Sequence, residues 1–555
     1  MSQPLWQVIQ FYWNQADSRH KRATSLGLLL LVSLSVLSSG ALVFESLQRG
    51  EFISALAARE AQRFQQSLLV FIGVLLASAI LLSVSTYVRD RLGLHWRRGL
   101  TQAMLSAYLS QRRFYWLSSL DLDNPDQRIT EDIKQVTQTT VIVLGILLDS
   151  VVQLIGFIGV LWAISIGLTG FLVLYAVIGS AIATLFFGLR LTRISAEQLK
   201  REATFRFGLI ELRDQGESIA FEGGQPYVQT ELRHRFRQVV RNFNRFIRWQ
   251  LGLDCFQNGY QYLTFVLPSL ILAPRILSGE LEVGAIVQSQ AAFDRIWLAL
   301  SLIVVQFEQL TRLAASIERL SDLLQALKQV DQVSSAIKVF PQPHLAAQNL
   351  TLRLPERQRT LVQQLSFQLS TQSLLVTGQS GIGKSTLFKA IAGLWTTGSG
   401  TIHCPAESIL FLPQRPYLML GTLRQQLLYP QAHPTISDRR LWQILAVVQL
   451  SELADLDQQE DWSQRLSVGE QQRLAFARLL IARPAYALLD EATSALSVTQ
   501  EQALYRHLAK TDITYMSIGH RPSLLPYHQQ KLTLLPDSRW QLEPISTPTV
   551  AYDPS

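Results

Sequence analysis

Long blocks of apolar residues without any charge alternate with charged segments over roughly the first 310 residues of the chain. The first block, Ala23 to Phe44, runs for 22 residues, and a second follows from Phe64 to Val88. A helix of about 20 such residues crosses a hydrocarbon layer about 30 Å thick. A cleaved signal peptide would have a shorter apolar core of about 7 to 15 residues. We therefore predict uncleaved membrane-spanning helices.

Four further apolar blocks bring the number of predicted spans to six. They cover residues 139–166, 168–189, 255–274 and 284–306. The fifth span contains Pro268 and Pro274, which are expected to kink or end its helix. The two long segments between spans, 89–138 and 190–254, repeat apolar residues at intervals of three and four, which predicts helices there too.

Basic residues are concentrated in these two long segments. Six arginines lie between residues 89 and 113 against the single acid Asp90, and residues 190–254 hold 12 Lys and Arg against 8 Asp and Glu. Basic loops stay on the cytoplasmic side. We therefore predict that both termini and both long loops are cytoplasmic, in a cell (inner or plasma) membrane. The net charge of +8 needs no nucleic-acid partner, since no nucleic-acid reader motif accompanies it.

Three ionisable residues lie inside predicted spans: Asp149, Asp294 and Arg295. Charges at membrane depth are costly and usually face a partner or a wet cavity, so these three are candidate residues of a transport pathway. The alternative is that Asp294 and Arg295 pair with one another and that Asp149 reaches the interface. The two cysteines, Cys255 and Cys404, form neither a disulfide framework nor a metal-binding spacing.

A glycine-rich loop carries the clearest chemistry. It lies between the apolar run 374–377 and the apolar run 387–391, the order of a strand, a loop and a helix. Such a loop turns its backbone amides toward a nucleotide's phosphates, with the helix N-terminus beneath them. Lys384 is expected to reach the β- and γ-phosphates, and Ser385 to hold Mg²⁺. The predicted ATP-binding residues are Gly378, Gln379, Ser380, Gly381, Ile382, Gly383, Lys384, Ser385 and Thr386.

Four more elements follow the loop in a consistent order. Gln414 comes after a short apolar strand and can sense Mg²⁺ and the attacking water. A turn and helix start at residues 466–473 suit a γ-phosphate presented from outside. A buried strand ends in Asp490, which would hold Mg²⁺ through water, and Glu491, which would polarise the attacking water. His520 follows another apolar run and is a candidate phosphate switch. The predicted catalytic residues are Glu491, His520 and Gln414, and the predicted Mg²⁺ ligands are Ser385, Gln414 and Asp490.

The predicted architecture is an all-α six-helix transmembrane domain followed by a cytosolic α/β P-loop NTPase domain. An amphipathic helix from about Glu308 to Val333 precedes the boundary, which Pro341 and Pro343 mark. We place the transmembrane domain at residues 1–335, the nucleotide-binding domain at 336–546 and a tail at 547–555.

The C-terminal domain resembles an ATP-binding cassette (ABC), in which residues 466–470 match the LSGGQ signature. The resemblance implies that two cassettes sandwich two ATPs head to tail, so that Ser467 and Gly469 of one chain serve the glycine-rich loop of the other. One cassette and six spans imply a half-transporter that forms a homodimer or a close heterodimer. Val468 replaces the first glycine of the signature pair, and Ser497 stands where many cassettes have Asp. The matched signature residues are Leu466, Ser467, Val468, Gly469 and Glu470.

Further motifs resemble the class D half-transporters, which are peroxisomal fatty-acyl transporters similar to the adrenoleukodystrophy protein, and their bacterial BacA-related relatives. These motifs span residues 124–129, 217–222, 279–284, 413–417, 494–497 and 519–523. The resemblance implies that Glu217 and Phe221 lie near a cytoplasmic turn that couples to a cassette. It also implies a D-loop formed by Ser494, Ala495, Leu496 and Ser497.

The predicted function is ATP-driven transport across the lipid bilayer by a dimer. The transported solute is either a lipid-like, long-chain acyl compound or a hydrophilic solute such as a peptide or cobalamin. The alternative is a membrane regulator that binds ATP without transporting anything. A cassette protein that handles nucleic acid is disfavoured by the six spans.

Overall fold

The computed structural model describes residues 2–15, 18–118, 120, 122–300, 306–331, 335–355, 359–405, 409–431, 436–453 and 455–545. The chain divides into two compact units, residues 1–332 and 333–555. The predicted tail at 547–555 lies outside the described residues.

The first unit is helical. Its α-helices are Ser2–Gln15, Ser18–Ala57, Ala61–Leu109, Arg113–Leu117, Pro125–Gln127, Ile133–Ile164, Ile166–Ile182, Leu189–Asp214, Gly216–Phe221, Gln225–Leu277, Gly284–Leu300 and Phe307–Asp331. A 3₁₀ turn at Ser110–Arg112 and π-helical turns at Arg128–Asp132 and Ala183–Gly188 join some of them. Four helical stretches among the described residues are long and apolar enough to cross a membrane, namely Ser18–Ala57, Ala61–Leu117, Pro125–Ile164 and Ile166–Asp214.

The predicted third span overshoots its helix. That helix ends at Ile164, because Ser165 adopts an extended conformation (φ −165°, ψ 122°). The Ser165 side chain then caps the next helix by accepting a hydrogen bond from the Leu168 N–H. The fifth predicted span lies in Gln225–Leu277, which continues through Pro268 and ends three residues after Pro274. The last part of the sixth, residues 301–305, lies outside the described residues.

Helices continue from the apolar stretches into the basic segment 190–254. Leu189–Asp214 packs against the start of Gln225–Leu277, where the Asn242 amide donates to the Ile194 carbonyl oxygen (3.0 Å) and to Gln198 (2.9 Å). Asn242 is buried, so these bonds satisfy an amide that would otherwise be costly there. The short helix Gly216–Phe221 forms the tip of this helical hairpin.

Among its described residues, the second unit combines three sheets with helices. Its strands are β1 Ile337–Pro341, β2 Leu345–Arg353, β3 Thr360–Leu369, β4 Leu374–Thr377, β5 Gly398–Cys404, β6 Ile409–Leu412, β7 Leu420–Thr422, β8 Gln459–Asp461, β9 Tyr486–Asp490, β10 Thr514–Ile518, β11 Gln530–Leu534 and β12 Trp540–Pro544. Its α-helices are Lys384–Ile391, Leu423–Leu428, Asp438–Val447, Trp462–Arg465, Val468–Ala482 and Val498–Leu508, with a 3₁₀ helix at Pro522–Tyr527.

The largest sheet determines where the chemistry collects. Its order is β12-β11-β4-β10-β9-β6, and all neighbours from β11 to β6 are parallel. Strand β9 is buried from Tyr486 to Leu489, as expected for a strand covered on both faces. Because parallel strands end at the same edge, the residues that follow β4, β6, β9 and β10 meet there.

His528 is buried in the core of the second unit. Its Nδ1 donates to the Leu524 carbonyl oxygen (2.8 Å), and its Nε2 has no partner among the described residues. Its ring packs beside those of Tyr505 and Tyr515, with centroids 5.7 and 5.2 Å away. Burial lowers the pKa of His528 to about 4, because the charged imidazolium would lose its hydration.

We predict that this histidine makes the second unit sensitive to acid. The unfolded chain binds a proton near pH 6.5, but the folded unit does so only near pH 4, so stability rises with pH across this window. Above pH 6.5, the lowered pKa of His528 contributes on the order of 3 kcal/mol to the free energy of unfolding of the second unit. This contribution is lost as the pH falls to 4. Hydrogen exchange of the second unit at pH 7 and at pH 4.5 measures the loss. His528→Asn should reduce the change in stability between the two pH values, whereas His507→Asn, at an exposed histidine, should not. An equal change in the wild type and both variants would show that His528 is not the source of the acid sensitivity.

Candidate functional site

The glycine-rich loop follows β4 in a conformation that only glycine adopts without strain. Gly378, Gly381 and Gly383 have φ values of 143°, 76° and 113°. A Cβ atom at Gly378 would lie 2.6 Å from the Leu534 carbonyl oxygen, and Gly383 is the N-cap of the helix Lys384–Ile391. These glycines therefore let the loop turn directly from the strand into the helix.

Lys384 lies over this loop. Its Nζ donates to the carbonyl oxygens of Gly378 (2.8 Å) and Gln379 (2.9 Å), and its side chain is buried. Burial lowers the pKa of Lys384, while Glu491 and Asp490 favour its charged form. The ammonium group is thus held where a phosphate on the loop would be within its reach.

Two of the predicted magnesium ligands lie side by side. The Ser385 hydroxyl donates to Asp490 Oδ1 (3.2 Å) across the end of β9. Burial raises the pKa of Asp490, and the bond from Ser385 opposes that shift. No cluster of three or more His, Cys, Asp or Glu side chains suited to a metal exists in the described part of the chain. A hydroxyl with one carboxylate fits Mg²⁺, which keeps waters and takes its remaining oxygens from phosphates.

Two separate loops each bring a side chain to the Glu491 carboxylate. Gln414, after β6, donates from Nε2 to Glu491 Oε2 (3.1 Å), and His520 Nε2, after β10, lies 3.3 Å from Oε1. Glu491 itself has a left-handed backbone (φ 48°), and its N–H donates to the Ile518 carbonyl oxygen. Strained non-glycine backbone of this kind clusters at functional sites. All three predicted catalytic side chains therefore meet at the carboxyl edge of the sheet.

The signature residues form the start of the helix Val468–Ala482. Ser467 is the N-cap, and its N–H donates to the Glu470 carboxylate (2.8 Å) while the Glu470 N–H donates back to Ser467 Oγ (3.4 Å). The hydrogen bonds from Ser467 lower the pKa of Glu470. Ser467 and Val468 are exposed, and Leu466 is buried in the core. The helix start is therefore preformed and open to the outside.

Ser497, a predicted D-loop residue, is the N-cap of the helix Val498–Leu508. Its hydroxyl accepts a hydrogen bond from the Gln500 N–H (3.3 Å), and the Gln500 side chain accepts one from the Ser497 N–H (3.2 Å). Ser and Asp are both good N-caps, which explains why Ser can stand where many cassettes have Asp.

Sequence reasoning gave no role to Gln472, which connects three of these elements. It is almost fully buried, and its Nε2 donates to the Gln414 carbonyl oxygen (3.1 Å) and to Ser494 Oγ (3.2 Å). Its Oε1 accepts from the Ala495 N–H (3.0 Å). One side chain thus ties the signature helix to the Gln414 loop and to the D-loop.

Arg521 is a second connecting residue that the sequence left without a role. Its guanidinium group donates to the carbonyl oxygens of Leu496 (2.7 Å) and Ser494 (2.9 Å). Arg521 directly follows His520, so these bonds join the D-loop to the candidate phosphate switch. The signals in the sequence were its position next to His520 and its place in the class D motif at residues 519–523.

Asp149, a candidate pathway residue, ties three helices of the first unit together. Its Oδ2 lies 3.1 Å from Arg89 Nη2, and its Oδ1 accepts a hydrogen bond from Ser35 Oγ. A Cβ atom at Gly145 would lie 2.6 Å from Arg89 Nε, so this glycine makes room for the arginine. These contacts support a structural role for Asp149.

We expect Asp149→Asn to destabilise the first unit by about 1–3 kcal/mol, because it leaves the largely buried Arg89 without its counter-charge. Thermal unfolding of the purified protein in detergent measures the loss. The double variant Arg89→Gln/Asp149→Asn should recover most of it, since no charge is left unpaired, and the exposed Asp90→Asn is the control. A double variant less stable than Asp149→Asn would contradict this interpretation.

Asp294 and Arg295 both line a cavity of about 460 Å³ in the first unit. Asp294 Oδ1 is buried and has no hydrogen-bond partner among the described residues. The other polar residues of the wall come from two further helices and are Glu45, Ser46, Arg49, Gln257, Asn258 and Gln261. The predicted coupling residues Glu217 and Phe221 lie elsewhere, exposed on the helix Gly216–Phe221, and the Phe221 side chain is 83% exposed.

Each of the two parts of the chain matches a known protein family. Residues 17–277 match the family described as ABC transporter transmembrane region 2, and residues 362–494 match the family described as ABC transporter. An uncharacterised ABC transporter ATP-binding protein of Synechocystis is 42% identical, over 93% of this chain and 81% of its own length.

Two eukaryotic relatives align with nearly the whole length of this chain. The chloroplastic ABC transporter D family member 2 of Arabidopsis thaliana is 33% identical over 99% of this chain and 89% of its own. The lysosomal cobalamin transporter of Homo sapiens is 28% identical over 93% of each chain. With a helical transmembrane region followed by an α/β ATPase, the chain therefore belongs to the class D family of ABC half-transporters, whose ATP hydrolysis is coupled to transport.

Proposed function

We propose that this chain is one half of a homodimer that hydrolyses Mg²⁺-bound ATP at two shared sites to move a polar solute across a cell membrane. The observation that carries the proposal is the convergence of Gln414 and His520 on the Glu491 carboxylate. A regulator that only bound ATP would not need a carboxylate held between two polar side chains. The transporter therefore accounts for this geometry better than the regulator does.

In the proposed reaction, Glu491 accepts a proton from the water that attacks the γ-phosphorus, and ADP and phosphate leave. Gln414 and His520 orient the Glu491 carboxylate, and His520 also contacts the phosphate. Lys384 binds the β- and γ-phosphates, and the backbone amides of the glycine-rich loop surround them. Ser385, Asp490 and Gln414 would hold Mg²⁺, which neutralises charge on the phosphates.

The dimer is proposed because the predicted signature residues begin the helix Val468–Ala482, a different element from the glycine-rich loop that begins the helix Lys384–Ile391. Ser467 and Val468 are exposed at a preformed helix start, so a second copy can present its ATP to them. ATP would then bind two chains at once only in the closed state. That differential binding supplies the free energy which shifts the transmembrane helices between two arrangements.

The substrate class is proposed from the cavity that Asp294 and Arg295 line. Its wall carries two acids, Glu45 and Asp294, and two bases, Arg49 and Arg295. Three amide side chains also line it. The unpartnered, buried Asp294 Oδ1 would be costly unless something hydrogen-bonds to it. A polar solute with hydrogen-bond donors meets that need, whereas an acyl chain does not. The cobalamin transporter among the relatives is consistent with a hydrophilic cargo.

The topology is proposed from the charges and helices together. Six spans would include Gln225–Leu277 and Gly284–Leu300 in addition to the four strongly apolar stretches. The basic segments 89–138 and 190–254 support cytoplasmic loops, with both termini on the same side. The domain limits proposed are 1–335, 336–546 and 547–555.

Uptake by sealed inside-out vesicles tests transport and substrate class together. Labelled cobalamin, a cationic peptide and an acyl-CoA are offered in turn with ATP, to the wild type, to Glu491→Gln and to Asp294→Leu, which removes the acceptor oxygen. ATP-dependent accumulation of a hydrophilic solute, lost in both variants, is expected if the solute is exported. Accumulation in right-side-out vesicles supplied with internal ATP would instead indicate import. Transport of the acyl-CoA alone would refute the polar cargo, and ATPase activity without flux in either orientation would favour the regulator.

A further inference from the structure

A second cavity, of about 380 Å³, lies between the helices Ser18–Ala57 and Ala61–Leu109. Its lining residues are distant in sequence from Asp294. One wall comes from the start of Ser18–Ala57 and contains Ala23, Gly27 and Leu30, which share one helix face. The facing wall comes from Ala61–Leu109 and is mixed, with apolar and basic side chains. Its residues are Tyr87, Val88, Arg91, Leu92, Leu94, His95 and Arg98.

The position of this cavity along both helices corresponds to the boundary between hydrocarbon and headgroups. The charge-free stretch of the first helix begins at Ala23, directly after Arg22. The charge-free stretch of the second helix ends at Val88, directly before Arg89. The cavity therefore has membrane hydrocarbon on one side of it and lipid headgroups on the other, whichever leaflet this is.

The basic wall carries charge that the described protein leaves without a counter-charge. Arg91 and Arg98 are exposed, and neither makes an ion pair or hydrogen bond with another described residue. His95 lies between them on the same helix face; its Nε2 is buried without a partner, and its ring stacks on that of His20 (centroids 5.1 Å apart). Asp90, the single acid between residues 89 and 113, does not line the cavity.

We propose that this cavity binds one anionic phospholipid of the surrounding bilayer. Its phosphate would accept hydrogen bonds from the exposed guanidinium groups of Arg91 and Arg98. Its acyl chains would run along the apolar side chains toward Leu30, which is 46% exposed. Basic pockets between membrane helices at headgroup depth recognise such lipids. A bound lipid would bridge the two helices at the point where they leave the membrane.

Native mass spectrometry of the full-length protein in detergent tests the site. Binding of phosphatidylglycerol is compared with that of phosphatidylcholine of the same acyl chains. Each arginine near the membrane surface contributes roughly fivefold in affinity, so Arg91→Gln/Arg98→Gln should weaken phosphatidylglycerol binding about 25-fold and leave phosphatidylcholine binding unchanged. The charge-matched control is Arg206→Gln/Arg241→Gln, at two exposed arginines of the other basic segment.

Soluble glycerol phosphate, added in excess, distinguishes a lipid site from a phosphate site. Little displacement of phosphatidylglycerol is expected, because the soluble compound lacks acyl chains for the apolar wall. Three results would overturn the proposal: equal retention of both lipids by the wild type, an equal loss in the control variant, or full displacement by glycerol phosphate. None of these measurements depends on ATP hydrolysis or on transport.

Discussion

Replacing Glu491 by glutamine is expected to lower ATPase activity by about 100- to 10,000-fold while ATP binding persists. Glutamine keeps the size of the side chain and its hydrogen-bonding capacity toward Gln414, but it cannot accept the proton of the attacking water. With ATP bound and unhydrolysed, the proposed closed dimer should also persist. Phosphate release measures the first effect, and the binding of a fluorescent ATP analogue measures the second.

The exposed Glu452→Gln provides a matched control, because it makes the same chemical change elsewhere in the second unit. Its ATPase activity should equal that of the wild type. Retention of more than about a tenth of the activity by Glu491→Gln would show that another group accepts the proton. Loss of ATP binding together with activity would instead show that Glu491 supports the structure of the site.

The second large effect is expected from Lys384→Met, which should weaken ATP binding by roughly 30- to 1,000-fold, or about 2–4 kcal/mol. Methionine preserves most of the apolar stem but removes the ammonium group that bonds to the Gly378 and Gln379 carbonyls. The phosphates would then lack their nearest positive charge, and the loop would lose two internal hydrogen bonds. Equilibrium binding of a fluorescent ATP analogue measures the change.

Lys510→Met is the control for this substitution, since Lys510 is exposed elsewhere in the second unit. ATP affinity close to that of the wild type is expected for the control. If Lys384→Met binds ATP as tightly as the wild type, then the backbone amides of the loop alone supply the affinity, and the role proposed for the lysine is wrong. Hydrogen exchange of the second unit checks that both variants remain folded.

The family and the ATPase could be predicted from the sequence because their signals are local. A glycine-rich loop between a strand and a helix, and an apolar strand ending in two acids, each need only neighbouring residues to be recognised. The comparisons confirm the family and the coupled ATPase. The roles of individual site residues stay predictions, although the structure brings Gln414, Glu491 and His520 together.

Other features could not be predicted, because they depend on residues that are distant in sequence. Gln472 lies 58 positions from Gln414, and nothing in the spacing shows that its amide reaches that carbonyl. Asp149 looked like a pathway residue because an acid inside an apolar block is costly wherever it stands. Its partner Arg89, 60 positions earlier, was visible only once the helices were packed.

By itself, the sequence determined the class of protein and the order of its two parts, and it predicted the chemistry at the ends of the parallel strands. Hydrophobic runs, glycine positions and charge bias act over a turn of helix or a single strand, so they can be interpreted without a fold. Tertiary structure alone decided which charges are paired and which remain open. It joined Asp149 to Arg89 and placed Asp294 in a cavity with Arg295 and Arg49. It left Arg91 and Arg98 at another cavity without a counter-charge, because pairing depends on distances between helices that no local pattern encodes.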